Sequence, residues 1–325
     1  MTRSLRSSAY ACAVLVPLLF ASAIQANAQK FPPWSRGANN PASAKGYVFQ
    51  VEGVDSVPDL HGNPAGARLV LFIAGNQFMA LPKLIAGFEH QHPELRGRIF
   101  YETLPPGILR KQIDHNGALT LGNLTLQVHA DVYQASLRVL SVMLEKHQVE
   151  QSVPYATNDL EIMIAAGNPH HIGSLADLGR KDVRLSMPNP QWEGVANQIA
   201  DSLRKAGGEA LLQKVMVTKV KDGATYLTQV HHRQTAMRIL SGQSDAGVTW
   251  APEVQFQELI GNPITGIEIP ADQNTTAIYA AGVLTGAPHE AAARAWVAYL
   301  ASAEAQTIYR EYGFGAPPAT ANDKP

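Results

Sequence analysis

Two adjacent histidines are the side chains whose type and spacing most readily indicate chemistry. His231 and His232 begin a helical segment just before the apolar run at Ala246. Imidazole can bind a metal ion or transfer a proton, so two imidazoles at the start of a helix mark a candidate binding site. The alternative is a pair of exposed or capping histidines, and the sequence leaves both interpretations open.

Asp59 and His61 form a second candidate, because residues at i and i+2 of an extended segment point to the same side. They could share a ligand there. They lie in a stretch without regular periodicity, however, and we interpret them as ordinary loop residues.

The motifs of common enzymes are absent from the sequence. There is no GxSxG elbow, Walker loop, dinucleotide-binding fingerprint or HExxH motif. The one cysteine, Cys12, excludes disulfide bonds and cysteine-based metal sites within the chain. We therefore predict no catalytic residue.

The elements that position these residues are apolar strands that alternate with amphipathic helices. The predicted strands are Leu69–Ala74, Arg98–Glu102, Val128–Tyr133, Leu160–Ala165, Val183–Met187, Ala246–Trp250 and Ile278–Leu284. The predicted helices are Gln77–His90, Ile108–Asp114, Ser136–His147, Val195–Lys205, Gln234–Leu240 and His289–Leu300. This alternation predicts an α/β protein with a parallel or mixed sheet that helices cover on both faces.

Sheets of this kind bind ligands outside the carboxyl ends of their strands, where the following helices begin. Four segments occupy such positions in the sequence. They are Gly75-Asn76-Gln77, Glu102–Gly107, Asn189–Gly194 and Trp250–Glu253. We expect the binding residues among them.

The composition is that of a folded protein with almost no net charge. Of the 325 residues, 26 are Lys or Arg and 27 are Asp or Glu, which gives a formal net charge of −1. Hydrophobic residues make up 46% of the chain, which together with the low charge excludes a disordered protein. A charge near zero gives no electrostatic attraction to nucleic acid or an anionic membrane. The length fits one large or two medium domains.

The N-terminal segment has the three parts of a secretory signal peptide. Arg3 and Arg6 give a basic start, the apolar run Ala9–Ile24 follows, and Ala26-Asn27-Ala28 has the small-x-small pattern of a cleavage site. Cleavage after this pattern would release a soluble exported protein, and we predict the bacterial periplasm as its location. A membrane anchor that stays attached is the alternative.

Five stretches together carry a family resemblance. They are Leu71–Asn76, Gly107–Ile113 with Ala130–Tyr133, Tyr155–Leu160 with Gly167–Pro169 and Ser174–Leu178, Gly242–Val248, and Glu290–Leu300 with Glu304–Gln306 and Tyr312–Phe314. In order and spacing they resemble the periplasmic solute-binding proteins of ABC importers, specifically the molybdate-binding type. The resemblance covers residues 68–315 and leaves out residues 29–66 and an insertion around Asn116–Val128, which alternates and is predicted to form a small hairpin.

The resemblance implies a type II periplasmic-binding-protein fold, in which two α/β lobes hold the ligand in a cleft. Two strands cross between the lobes, a hinge motion closes them, and the closed form docks on a membrane permease. The implied division is a signal peptide at 1–28, an extended lead-in at 29–66, lobe I at 67–157 plus 286–325, and lobe II at 158–285. We expect a monomer with no nucleic-acid partner and no catalytic cofactor.

Matching positions with the molybdate-binding pattern gives a set of expected site residues. The implied ligand-binding residues are Asn76, Gln77, Glu102, Thr103, Glu193 and Trp250. Asn76 and Pro106 stand where that pattern has serines, Glu193 replaces a small residue of a Pro-Ala-Gly turn, and Trp250 replaces a tyrosine. His231 or His232 falls at the start of the late helix.

This set has the wrong charge for a dianion. A carboxylate facing an oxyanion in a desolvated cleft costs on the order of several kcal/mol unless it is protonated. Carboxylate and imidazole together favour first-row transition metals instead, so we predict a metal site from four side chains. They are Glu102, Glu193, His231 and His232. In the alternative, the two glutamates cap helices or pair with Arg110 and Arg233, and backbone amides form the site.

A small organic molecule that stacks on Trp250 and Tyr226 is the third ligand class. The predicted function is delivery of a small inorganic ion, either a molybdate-like oxyanion or a metal cation, to an ABC importer. Two competing predictions are an exported enzyme, in which Glu102 and His231 perform acid–base work, and an exported ligand-sensing subunit.

Overall fold

The apolar runs of the sequence form two separate mixed sheets in the computed structural model, which describes residues 48–50, 58–121, 124–229 and 231–318. The predicted signal peptide and most of the predicted lead-in lie outside the described residues. The alternation of strands and helices along the chain confirms the predicted α/β class.

The larger sheet combines strands from both halves of the chain. Its strands are β1 (Val48–Gln50), β2 (Pro58–His61), β3 (Leu69–Ile73), β4 (Ile99–Glu102), β7 (Val132–Ser136), β8 (Val153–Asn158) and β14 (Ala277–Val283). Their order is β1-β2-β4-β3-β7-β14-β8, with β3 parallel to β4 and β7, and β14 antiparallel to β7 and β8. All five residues of β3 are buried, because both faces of the sheet are covered.

The smaller sheet comes from one continuous stretch of chain. Its strands are β9 (Leu160–Ala165), β10 (Leu185–Met187), β11 (Thr225–Leu227), β12 (Ala246–Trp250) and β13 (Ile264–Glu268), in the order β11-β10-β12-β9-β13. A separate pair, β5 (Ala118–Leu121) and β6 (Leu124–Gln127), forms an antiparallel two-stranded sheet and confirms the predicted hairpin in the insertion.

Helices pack on each sheet and divide the described chain into two lobes. Lobe I is the larger sheet with α1 (Leu81–Gln91), α2 (Pro106–Asp114), α3 (Leu137–Glu145), α8 (Glu290–Leu300) and α9 (Ala303–Glu311). Lobe II is the smaller sheet with α4 (Val195–Gln213), α5 (Lys219–Lys221), α6 (Gln234–Leu240) and α7 (Ala251–Leu259). None of the helices within the described residues combines the length and apolarity that crossing a membrane requires.

Helix α4 is longer than the sequence indicates. The predicted helix stops before Gly207-Gly208, and the backbone does break there, with Gly208 at a φ of +66°. A second helical segment follows to Gln213, because Leu211 and Leu212 are buried on it and anchor the chain to lobe II.

Two of the predicted domain boundaries are wrong in the structure. The prediction ended lobe II at residue 285, but β14 pairs with β7 and β8, so the chain returns to lobe I before Ala277. The prediction also assigned residues 58–61 to a lead-in, whereas β2 pairs with β4 as part of the larger sheet. The sequence Pro58-Asp59-Leu60-His61 has a single aliphatic residue and so gives no strand signal.

The chain crosses between the lobes at Asp159, and again in the segment 269–276. Asn274 ties the two crossings together: the Leu160 N–H donates to its Oδ1 at 3.1 Å, and its Nδ2 donates to the Leu160 carbonyl oxygen at 2.8 Å. The Thr276 hydroxyl donates to the Asp159 carboxylate beside them. These contacts join the two connecting segments into one unit at the boundary of the lobes.

We expect Asn274→Ala to destabilise the protein by about 1 kcal/mol, because both main-chain groups of Leu160 lose a hydrogen-bond partner. Urea denaturation followed by circular dichroism measures this change. Asn197→Ala, at an exposed position of α4, is the control and should change the free energy of unfolding by less than about 0.5 kcal/mol. Equal losses in the two variants would contradict a role for the Asn274 contacts.

Candidate functional site

A cavity of about 90 Å³ lies between the lobes, where helices from both of them begin. Its lobe I lining consists of Ala74, Gly75, Asn76, Pro105, Pro106, Ser136, Arg138, Val139, Ala277 and Tyr279. Its lobe II lining consists of Glu193, Gly194, Val195, Gln198, His231, His232 and Trp250. The segments that follow the strand ends therefore meet at one point, as the rule for α/β sheets predicts.

The lobes contact each other closely around this cavity. A Cβ atom added to Gly107, in the first turn of α2, would lie only 2.9 Å from the carbonyl oxygen of Trp192 in lobe II. The rings of Phe78 and Phe256, one from each lobe, meet edge to face with centroids 5.1 Å apart. The structure is therefore that of a closed cleft.

Five of the predicted site residues line the cavity, and three do not. Those that line it are Asn76, Glu193, His231, His232 and Trp250. The others are Gln77, Glu102 and Thr103, which are buried in lobe I.

Each of these three faces a partner within lobe I. The Gln77 side chain turns toward the core, where the hydroxyls of Tyr155 and Tyr309 donate to its Oε1 at 2.9 and 3.0 Å. Glu102 accepts from the Gln112 amide at 3.1 Å, and the Thr103 N–H donates to the Asp59 carbonyl oxygen at 2.8 Å.

Glu193 stands just before α4, and both oxygens of its carboxylate accept hydrogen bonds at the cavity wall. Its Oε1 accepts from the Asn189 N–H at 3.0 Å and from the Thr228 hydroxyl. Its Oε2 accepts from the His232 N–H at 2.5 Å and lies 2.6 Å from Nδ1 of the same histidine. Burial alone would raise the pKa of Glu193, but the His232 contacts prevail and lower it.

His232 lies between two carboxylates. Its Nδ1 contacts Glu193, and its Nε2 lies 2.8 Å from Oε1 of Glu253, whose other oxygen accepts from the Thr249 hydroxyl. Burial opposes the positive charge, but the two acids outweigh this effect and raise the pKa of His232 to about 10. With both ring nitrogens protonated, the Glu193–His232–Glu253 group carries a net charge of −1.

Of the four predicted metal ligands, Glu193, His231 and His232 line the cavity, and Glu102 does not. Glu102 faces Gln112 inside lobe I, and a doubly protonated His232 has no lone pair to offer a metal ion. Within residues 58–121, 124–229 and 231–318, no three His, Cys, Asp or Glu side chains are arranged to hold a metal ion.

A buried ion pair joins the two lobes beside the cavity. Asp59, on β2, pairs with Arg233, which directly precedes α6, and both residues are almost fully buried. Nε2 of His231 lies 3.1 Å from the same Asp59 carboxylate. The Arg233 guanidinium also lies 4.8 Å from the centre of the Phe78 ring. Our interpretation of Asp59 as an ordinary loop residue is therefore wrong.

The suggested pairing of the two site glutamates with arginines is not observed. Arg233 pairs with Asp59, and Arg110 pairs with Asp114 one turn along α2. Glu193 instead takes its charge partner from His232.

Tyr279 is a cavity residue that sequence reasoning missed. Its hydroxyl accepts from Nδ2 of Asn76 at 2.7 Å, and its ring lies edge-on to Trp250 with centroids 6.2 Å apart. Tyr226, which was expected to stack with Trp250 on an organic ligand, does not line the cavity; it is 42% exposed and lies beneath the Arg238 guanidinium. The predicted boundary at residue 285 assigned Tyr279 to lobe II, whereas Tyr279 belongs to β14 and thus to lobe I.

An open groove continues from the cavity between α3 and α4. It shares Ser136, Arg138, Gln198 and Ala277 with the cavity lining. Arg138 is exposed in the first turn of α3 and stands where the groove meets the cavity. The cavity thus has a route to solvent that runs between the lobes past a cationic side chain.

Two lobes that close over a small cavity, with the chain crossing twice between them, define the type II class of solute-binding proteins. The sequence comparison agrees with this class. The chain belongs to the family of bacterial extracellular solute-binding proteins, whose model matches residues 69–315.

The individual proteins that match this chain share only limited sequence identity with it. The molybdate-binding protein ModA of Mycobacterium tuberculosis is 26% identical over 164 residues, which is 50% of this chain and 56% of that protein. The chain therefore spans about half the length of the relatives of this kind that it matches.

Two solved structures confirm the fold. The periplasmic molybdate-binding protein of Azotobacter vinelandii superposes with a TM-score of 0.58 at 16% identity, over 77% of this chain and 99% of that one. The sulfate-binding protein SubI of Mycobacterium tuberculosis superposes with a TM-score of 0.60 at 18% identity, over 76% of this chain and 85% of that one.

The burial of Glu102 in lobe I can be tested through the pH dependence of the protein's stability. Burial raises the pKa of Glu102 to about 8, so the folded protein keeps a proton that the unfolded chain releases above its ordinary value of 4.5. Stability should therefore fall as the pH rises from about 4.5 to 8.

We expect Glu102→Gln to remove this loss and to raise the free energy of unfolding at pH 7.5 by on the order of 3 kcal/mol. At pH 4 the difference should almost vanish. Urea denaturation at both pH values measures it, with Glu145→Gln at an exposed position of α3 as the control. A pH-independent difference would show that folding does not raise the pKa of Glu102.

We expect the His232 ring to stay protonated at pH 8.5, because the two carboxylates hold its pKa near 10. Nitrogen-15 NMR of labelled histidine distinguishes the imidazolium from the neutral ring, and His232→Gln identifies the resonance. A ring that loses its proton between pH 6 and 7 would contradict the arrangement.

Proposed function

We propose that this protein is the receptor of an ABC importer, which captures a small solute in the periplasm and delivers it to a membrane permease. The observation that carries the proposal is the buried contact of Asp59 with Arg233, which joins the two lobes beside the cavity that both of them form. Such a contact couples closing of the cleft to sequestration of whatever occupies the cavity. Family membership supports the same assignment, and the chain acts as a monomer in this proposal.

The cavity favours a small solute without a double negative charge. Trp250 and Tyr279 give an apolar wall, while Asn76, Ser136 and His231 provide polar groups around it. The net charge of the Glu193–His232–Glu253 group repels a dianion. A metal cation would have to displace a proton from His232 before the ring could bind it. The proposed ligand is therefore a neutral or zwitterionic organic solute.

A molybdate-like oxyanion is the second candidate, because the relative ModA is named as a molybdate-binding protein. Arg138 at the cavity mouth and the helix beginnings around the cavity would favour such an anion. The carboxylate of Glu193 is the feature that opposes it.

An exported enzyme has less support. The acid–base pair considered for this alternative is Glu102 with His231. Only His231 lines the cavity, while Glu102 is fully buried against Gln112. The family consists of solute-binding proteins, which also favours a receptor that is not an enzyme.

We expect a bound solute to close the cleft and to lower the radius of gyration measured by small-angle X-ray scattering. Thermal-shift screening of amino acids, small organic acids, oxyanions and transition metals identifies the solute to be used. A solute that raises the melting temperature without any change in scattering would contradict closure.

Asp59→Asn tests the contact that holds the lobes together. We expect this variant to bind the same solute at least about tenfold more weakly, because closure leaves Arg233 buried without its anionic partner. Asp182→Asn removes an exposed ion pair with Arg180 in lobe II and should bind as the unchanged protein does.

A further inference from the structure

We propose that Glu193 is a resident anion: its carboxylate fills the anion-binding position of the cleft and thereby excludes divalent oxyanions such as molybdate and sulfate. This inference rests on the proposed function only in taking the cleft as the solute site. It makes Glu193 the residue that determines which class of solute the cleft accepts.

Several donors of the types that bind oxyanions converge on this carboxylate. Two main-chain N–H groups, from Asn189 and His232, donate at 3.0 and 2.5 Å. The Thr228 hydroxyl and the His232 ring add two more contacts. Main-chain amides, a hydroxyl and a cationic ring are the groups that bind oxyanions in proteins, and here both oxygens of one side chain occupy them.

Glu193 also has a position at which it can block a solute. It lines the cavity itself, together with His232 and with Gly194 on its C-terminal side. Glu193 is only 3% exposed, so the carboxylate is shielded from bulk water. Loss of the carboxylate would therefore open its donors toward the cavity, where a solute could reach them.

The charge around Glu193 also opposes a divalent anion. His232 is already shared between Glu193 and Glu253, at 2.6 and 2.8 Å. A dianion that entered the cavity would meet the Glu193 carboxylate directly, and Glu253, outside the cavity lining, already shares the charge of the His232 ring. The group therefore repels a dianion at this wall, and Arg138 at the cavity mouth is the cation that opposes this repulsion. Without the Glu193 carboxylate, Glu253 and His232 neutralise each other, and an entering anion would find four unoccupied donors.

The experiment compares the full mature chain with Glu193→Ala by isothermal titration calorimetry with molybdate and sulfate at pH 7.5. We expect the unchanged protein to bind neither at 1 mM, a concentration about a thousandfold above a micromolar dissociation constant. We expect Glu193→Ala to bind at least one of them at least 100-fold more tightly than the unchanged protein does.

Further variants distinguish the effect of the space that the Glu193 side chain fills from the effect of its charge. Glu193→Gln removes the charge but still fills the position, so it should gain little oxyanion affinity. Glu209→Ala, at an exposed glutamate of α4, should gain none. Glu193→Ser is the second cavity-opening variant if the alanine variant does not fold, and its circular dichroism is compared with that of the unchanged protein.

The outcomes separate this inference from the proposed function. Micromolar binding of molybdate or sulfate by the unchanged protein overturns the inference. So does a folded Glu193→Ala or Glu193→Ser that gains no oxyanion affinity while the unchanged protein binds an organic solute, and the receptor function then stands. A gain in the variants, with no solute found for the unchanged protein, supports the inference and counts against the receptor function.

Discussion

The buried ion pair between Asp59 and Arg233 is the interaction on which the closed arrangement of this protein depends. Asp59 belongs to a strand of lobe I and Arg233 precedes a helix of lobe II, so the pair exists only while the lobes are together. A buried charge without its partner is strongly unfavourable, whereas both groups are well solvated in an open cleft. Partial separation of the lobes is therefore disfavoured, because it would break the pair before water could solvate both groups.

A second polar network lies within one lobe and does not depend on closure of the cleft. Glu193, His232 and Glu253 all belong to lobe II, so their contacts persist whether the cleft is open or closed. The charge of the binding wall is thus preformed, while lobe I adds Asn76 and Tyr279 when it approaches. In the proposed function, lobe II would select the solute by charge, and lobe I would enclose it.

The parts of the structure that could be predicted from sequence have local causes. Continuous apolar runs gave the central strands, and the rule for strand ends identified Asn76, Glu193 and Trp250 as cavity residues. The parts that could not be predicted have distant causes. The partner of Asp59 lies 174 positions along the chain, and no neighbouring residue signals it. The side chains of Gln77 and Glu102 turn inward because of Tyr155, Tyr309 and Gln112, a choice of direction that strand and helix patterns do not encode.

The strand order also determines when each lobe can be completed during synthesis and export. The smaller sheet lies wholly within residues 160–268, so every strand of lobe II is available once that stretch has emerged. The larger sheet needs β14, which lies between β7 and β8 but follows them by more than a hundred residues. Until then β7 and β8 each present an unpaired edge, the kind of surface through which nascent chains aggregate. The strands of lobe II can therefore all pair first, whereas the larger sheet of lobe I stays incomplete until β14 arrives.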